Sequence, residues 1–227
     1  MLDEEQMLDV LIQSYADGTS LCATLDSGII DSMCDSNSID IRIWLARALA
    51  YHSSETQAIA LLRKLSKDAA SCVRVEAVDS LSGFVNQESF DILCNASRDE
   101  DELVRAYSAF GIALLGSVIS PEKALKTLLK MIQNESNNRT LVNIYEGLYI
   151  LGQKEKLGEL ICLFDSPDYR IQCAVLHALE ELLCAENIDA IRQFINGLDK
   201  TAYVHAVVDT LKQLDSKCLG FQNRKTC

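Results

Sequence analysis

The sequence predicts an all-α fold, an α-α superhelix of stacked helical hairpins, on three observations. One amphipathic segment recurs six times, opening at Ile41, Val73, Val104, Thr140, Ile171 and Tyr203, at intervals of 32, 31, 36, 31 and 32 residues. Each copy sets small or apolar residues at offsets of four, seven, eight and eleven, His52 of the first copy being neither. The second copy does so with Ala77, Ser80, Leu81 and Phe84, the fifth with Val175, Ala178, Leu179 and Leu182. With 3.6 residues per turn these offsets trace one helical stripe, and helices repeated at that period mark an α-solenoid. Finally, only two prolines and ten glycines punctuate 227 residues, which favours long helices over strands and turns.

The elements follow in order. Residues 1–38 read as two capping helices, around Glu4 to Tyr15 and Ser20 to Met33, parted by the stop signal Asp17-Gly18-Thr19. Residues 39–216 hold the repeats, with a second amphipathic helix between successive copies. Ser54-Glu55-Thr56-Gln57 has the capping-box pattern and opens the helix through Leu65. Glu88 to Ala96 is the next, and Ser120-Pro121, cap residue then proline in the first turn, opens a third through Ile132. Lys156 to Phe164 and Ile188 to Leu198 complete the set. Asp68, Asp99, Asp165 and Asp199 follow these helices and begin the short turns between repeats. Asn134 to Asn138 extends the turn of the fourth repeat, where an exposed loop and a local change of curvature are expected. Residues 217–227 read as a flexible tail, since Phe221 to Cys227 lacks periodicity. The pattern makes roughly 12 to 13 helices in one continuous domain.

Composition narrows the function. Apolar residues make up 48 % and aromatics 6 %, so the core is built from aliphatic and small side chains. The formal charge of −12 repels a nucleic-acid backbone, and the basic stretches Arg63 to Lys67 and Arg224-Lys225 carry no interleaved aromatics. No nucleic-acid partner is expected. The acidic start Met1-Leu2-Asp3-Glu4-Glu5 is unlike a signal peptide. No apolar run approaches the roughly 20 residues that span a bilayer. Nine cysteines without a CxxC pair read as small hydrophobes in a reducing, cytoplasmic protein.

The strings Leu61 to Asp68 and Val73-Arg74-Val75-Glu76-Ala77-Val78-Asp79-Ser80-Leu81 resemble HEAT repeats of the short bacterial type, as does Asp101-Glu102-Leu103-Val104-Arg105 ending in Leu114-Leu115-Gly116. The resemblance covers roughly residues 39 to 215. It is strong in the second, third and fifth repeats and weaker in the fourth and sixth. It implies a structural ladder in which the inter-helix Asp meets the Arg after the opening residue, at Arg42, Arg74 and Arg105.

Chemistry is hard to find. His52, His177 and His205 sit in no HExxH, and the His-Glu pairs of the HEAT-like di-iron hydroxylases are absent. No phosphate loop or GxSxG occurs, so no metal, cofactor or catalytic residue is assigned. HEAT-like DNA glycosylases present basic, aromatic-rich grooves, whereas Trp44 here lies beside the buried stripe and reads as core. HEAT-like lyases remain a comparison that the sequence neither supports nor excludes.

What a solenoid offers is a groove. Offset six gives Arg47, Asp79, Phe110, Glu146, His177 and Asp209; offset nine contributes Tyr149 and Glu180, and offset five Tyr145. Facing the groove, Asp79, Phe110, Tyr145, Glu146, Tyr149, His177 and Glu180 form an aromatic strip edged by acids, suited to a basic protein partner. Tyr145 and Tyr149 have a second reading, as cover for neighbouring helices. The expected function is a monomeric, non-enzymatic interaction module: an adaptor, scaffold or inhibitor, an immunity-type protein included. A HEAT-like lyase or nucleic-acid glycosylase is the alternative.

Overall fold

The stripe positions close the core: at offsets zero, four, seven and eight of the six copies, every residue except Tyr203 is buried. The structure, a computed structural model, describes residues 2–23, 25–52 and 54–223. Among them are thirteen α-helices, three short 3-10 turns and no strand. This is an all-α solenoid-type fold of helical hairpins.

The chain divides into two compact units, Met1–Leu128 and Leu129–Cys227. The first begins with α1 (Glu4–Asp17), α2 (Ser27–Met33), α3 (Ile39–Leu49) and α4 (Glu55–Leu65). It continues with α5 (Ser71–Leu81), α6 (Gln87–Ala96), α7 (Glu102–Ile119) and the start of α8 (Pro121–Ile132). Helices α1, α3, α5 and α7 stack in chain order as an inner layer, while α4 and α6 form an outer layer and α2 rests on α3. The second unit holds α9 (Asn138–Ile150), α10 (Lys156–Cys162), α11 (Tyr169–Glu181), α12 (Ile188–Asn196) and α13 (His205–Asn223). Here α9, α11 and α13 stack, with α10 against α9 and α12 against α13. Where the sequence suggests a tail from residue 217, α13 runs on to Asn223; residues 224–227 lie outside the described residues.

Local chemistry sets the helix ends. Asp3 forms a capping box with Gln6, its carboxylate accepting the Gln6 N–H at 2.9 Å while the Gln6 side chain accepts the Asp3 N–H at 3.1 Å. Gly18 closes α1 at φ 61°, a left-handed conformation that costs glycine little. The box expected at Ser54 does not form, for Ser54 makes no side-chain cap. The Gln57 amide instead donates to Ser27 Oγ and Asp31 Oδ1, both at 2.9 Å, tying α4 to α2.

The ladder implied by the resemblance is present in the first unit. Arg42 grips Asp68 through Nε and Nη2 at 2.7 and 3.1 Å and reaches the Ser36 carbonyl. Arg74 grips Asp99 at 2.9 and 2.7 Å and donates to the carbonyls of Asp68 and Ala69. Arg105 donates to the Asp99 and Glu100 carbonyls at 3.0 Å. Burial alone would raise the Asp68 pKa, but hydrogen bonds from Arg42 and the Ala70 N–H outweigh it and hold the carboxyl below its usual range.

Helix α7 is long and apolar enough to cross a membrane by length and composition, which the sequence reading overlooked; half of that stretch is buried within the protein. Its C-terminal half packs closely on α8. A methyl at Gly116 would collide with Ala124 and press on Phe90.

Two outcomes test this account by chemical denaturation. Arg74→Ala, which removes a side chain buried to 9 % exposure and strands its carboxylate partner Asp99, should destabilise the protein by about 3–5 kcal/mol. Gly116→Ala should cost about 1–3 kcal/mol through overpacking; an unchanged midpoint would mean that α7 and α8 are free to separate.

Candidate interaction surfaces

In the first unit, inner helices that stack in parallel bring equal offsets of successive repeats into rows. Offset three supplies Trp44, Glu76 and Tyr107; offset six supplies Arg47, Asp79 and Phe110. Trp44 is half-buried rather than core: its ring meets Tyr15 edge-on at 5.8 Å, and the Arg47 guanidinium lies 4.7 Å from its centroid. Tyr15 also packs on Tyr51, with 5.8 Å between ring centroids. Arg47 then spans to α5, pairing with both oxygens of Glu76 at 2.6 and 2.8 Å. Asp79, one turn on, is exposed and has no ion-pair partner among the described residues. Loss of hydration and the adjacent Glu76 raise its pKa, against the pull of Arg47. Phe110 is half-buried on α7, beside exposed Tyr107 and Leu114. Asp79 and Phe110, singled out from the sequence, therefore share one face.

The second unit treats its candidates differently. Tyr149 is buried in the hydrophobic core, its hydroxyl accepting from Asn187 Nδ2 at 3.0 Å. Asn187 in turn donates to the Leu182 carbonyl at 2.7 Å and accepts the Cys184 N–H at 2.9 Å, so Tyr149 braces the turn between α11 and α12. The reading of Tyr149 as an exposed groove aromatic is replaced by its reading as cover for neighbouring helices. Tyr145 is half-buried against the same core. Glu146, expected on the surface, is only 5 % exposed. Burial, with Glu181 nearby, pushes its pKa up to about 7. His177 is exposed on α11, and Glu180 pairs with Lys217 while its second oxygen is buried without a partner.

The offset-five row also departs from expectation: Ala46, Val78, Ala109 and Leu176 are buried. Each inner helix has a neighbour on its flank as well as an outer helix behind it, so the buried arc is wider than one stripe. The open arc centres on offsets six and ten, and the sequence reading missed Tyr51, Leu114 and Glu181 at offset ten. They lie four residues beyond offset six, a spacing that puts them on the same face. His52, on the stripe, is buried; its Nε2 lies 3.1 Å from Gln57 Oε1 and 3.5 Å from Cys22 Sγ, and its Nδ1 has no partner.

Glu146 gives a pH test with a definite sign. A carboxyl whose pKa is raised on folding stabilises the folded state below its unfolded value and loses that advantage as pH rises to about 7. Wild-type stability should therefore fall between about pH 4.5 and pH 7. Glu146→Gln should remove this fall, for a gain on the order of 2–3 kcal/mol at pH 8 and little at pH 4. Parallel pH–stability curves for the two proteins would show Glu146 to be ionised and solvated.

A family model of HEAT repeats matches residues 28–113. No curated protein sequence matches the chain at a significant level. The matched segment contains Arg42–Asp68, Arg74–Asp99 and Arg105, the full extent of the arginine ladder. Sequence match, hairpin geometry and ladder agree: residues 28–113 are HEAT repeats.

Proposed function

We propose that this chain is a non-enzymatic protein-binding module whose working surface is the inner face of the first unit, and that its partner presents basic and apolar side chains there. HEAT repeats are generally interaction modules. The observation that carries the finer reading is the run of exposed large side chains along the stacked inner helices and the turn after α3: Tyr15 at 40 %, Tyr51 at 46 %, Tyr107 at 38 % and Leu114 at 43 % exposure. A monomeric protein rarely exposes a contiguous apolar patch unless something binds there. Asp79 and the Arg47–Glu76 pair lie along this run, so a partner lysine or arginine would find both a carboxylate and aromatic faces. The adaptor, scaffold or inhibitor role belongs to this reading, and the acidic groove of the sequence analysis narrows to Asp79 with Phe110 and their neighbours.

The test is affinity capture from the native lysate, with retained proteins quantified against variants of equal helicity. Trp44→Ala, Tyr107→Ala and Asp79→Lys should each weaken retention of the specific partner, by about 1–3 kcal/mol where the residue is a hot spot. Tyr149→Ala should act only through stability. A retained set unaffected by the three inner-face variants would move the working surface elsewhere.

A further inference from the structure

The outer layer of the first unit carries a second feature, unrelated to the inner face. Between α4 and α6 lies a groove of about 860 Å³. Seven charged side chains line it, and most are already paired. Arg74 is engaged by Asp99, Arg63 by Glu88, and Asp91 by Lys123 from α8. Lys67 and Arg98 are left, and neither has an ion-pair or side-chain hydrogen-bond partner among the described residues. The residual charge of the groove is thus positive, in a chain whose net charge is −12.

These two cations are equivalent. Each follows the C-terminus of an outer helix and directly precedes a ladder aspartate, Asp68 or Asp99. The helix dipole favours a cation at that place but supplies no carboxylate to neutralise it. The ladder fixes their backbone: Asp68 and Asp99 each hold an arginine and accept a turn N–H, from Ala70 and Asp101, both at 2.9 Å. Packed helices stand about 8–10 Å apart, and a polyproline-II segment advances about 9 Å over three residues while returning to the same face. Two acidic side chains three residues apart would reach both cations at once. The Asn95 side chain, which also lines the groove and has no side-chain hydrogen-bond partner among the described residues, offers an amide to a peptide backbone.

We propose that this groove binds an extended acidic peptide segment of a protein partner, with Lys67 and Arg98 each taking one carboxylate. A long phosphate polyanion is disfavoured, because two cations cannot offset the repulsion of the whole acidic chain.

The test is fluorescence anisotropy of the full chain with a labelled peptide containing Glu-Pro-Pro-Glu between small neutral residues. Saturable binding is expected, weakening as salt rises and lost when both glutamates of the peptide become glutamine. The double variant Lys67→Glu/Arg98→Glu should bind on the order of tenfold more weakly or worse, with circular dichroism unchanged because no native pair is broken. Lys67→Gln/Arg98→Gln, which adds no repulsion, should lose most of the binding as well. Lys130→Glu, the same charge reversal at a single position outside the groove, and Trp44→Ala, on the inner face, should leave it intact. The proposal is overturned if the wild type does not bind the peptide, if the double variants bind like wild type, or if Lys130→Glu is as damaging. It also falls if a single-stranded oligonucleotide competes through the same two residues. A concentration-dependent dimer that disappears in the double variant would assign the groove to a second copy and overturn the peptide proposal.

Discussion

The buried guanidinium–carboxylate pair between successive repeats is the constraint on which the first unit depends. An arginine placed among helix ends loses its hydration, and only a full set of acceptors offsets that loss. Arg74 has such a set: two oxygens of Asp99 ahead of it and two carbonyls of the turn behind it. Because the guanidinium is planar and its donors form a rigid fork, this geometry fixes both the distance and the phase between neighbouring inner helices. Everything on the surface inherits that registration. Trp44, Glu76 and Tyr107 form a row because the helices carrying them start in step, and Lys67 and Arg98 repeat because each adjoins a ladder carboxylate.

The second unit shows what takes the ladder's place. Its repeats open with Thr140-Leu141 and Ile171-Gln172. Gln172 still reaches back to the turn, donating to the Ser166 carbonyl at 2.9 Å, but an amide on a shorter stem does not clamp a carboxylate as arginine does. The link between repeats shifts to the other end of the inner helices, where Tyr149 holds Asn187 in the turn that follows α11. A tyrosine used in this way must lie in the core. Its neighbour Glu146 is enclosed on the same helix, and burial shows in a carboxyl pKa pushed up to about 7. The family match ends at residue 113, beyond which the ladder arginines do not recur at the opening positions.

Most of the fold was legible because the stripe has a fixed period, and only a helix buries offsets zero, four, seven and eight together. The breadth of the buried arc was not legible. It depends on how many neighbours each helix has, and the burial of Val78 and Ala109 at offset five is a property of the stack. The capping box at Ser54 failed for a similar reason: Gln57 had better partners, Ser27 and Asp31, that local sequence does not reveal. Of the residues expected to face the groove, Asp79 is exposed and Phe110 half-buried, in keeping with their phase. Glu146 and Tyr149 were misplaced because α9 is covered at offsets six and nine, whereas His177, at offset six of α11, is exposed. Trp44 was misread because it touches the stripe on one side and Tyr15 on the other.

Net charge is a poor guide to what such a protein can bind, because pairing redistributes it. The total is −12, and the inner face keeps that sign: Arg47 is taken by Glu76 and the carboxylate of Asp79 remains. On the outer layer the same accounting gives the opposite sign, since the acids Glu88, Asp91 and Asp99 are each matched and Lys67 and Arg98 are not. Long-range steering follows the total and falls off within roughly a Debye length. Specificity follows the residue left unpaired at contact distance. Two layers of one stack, registered by one ladder, can therefore present surfaces of opposite preference, as an adaptor that joins two different partners requires.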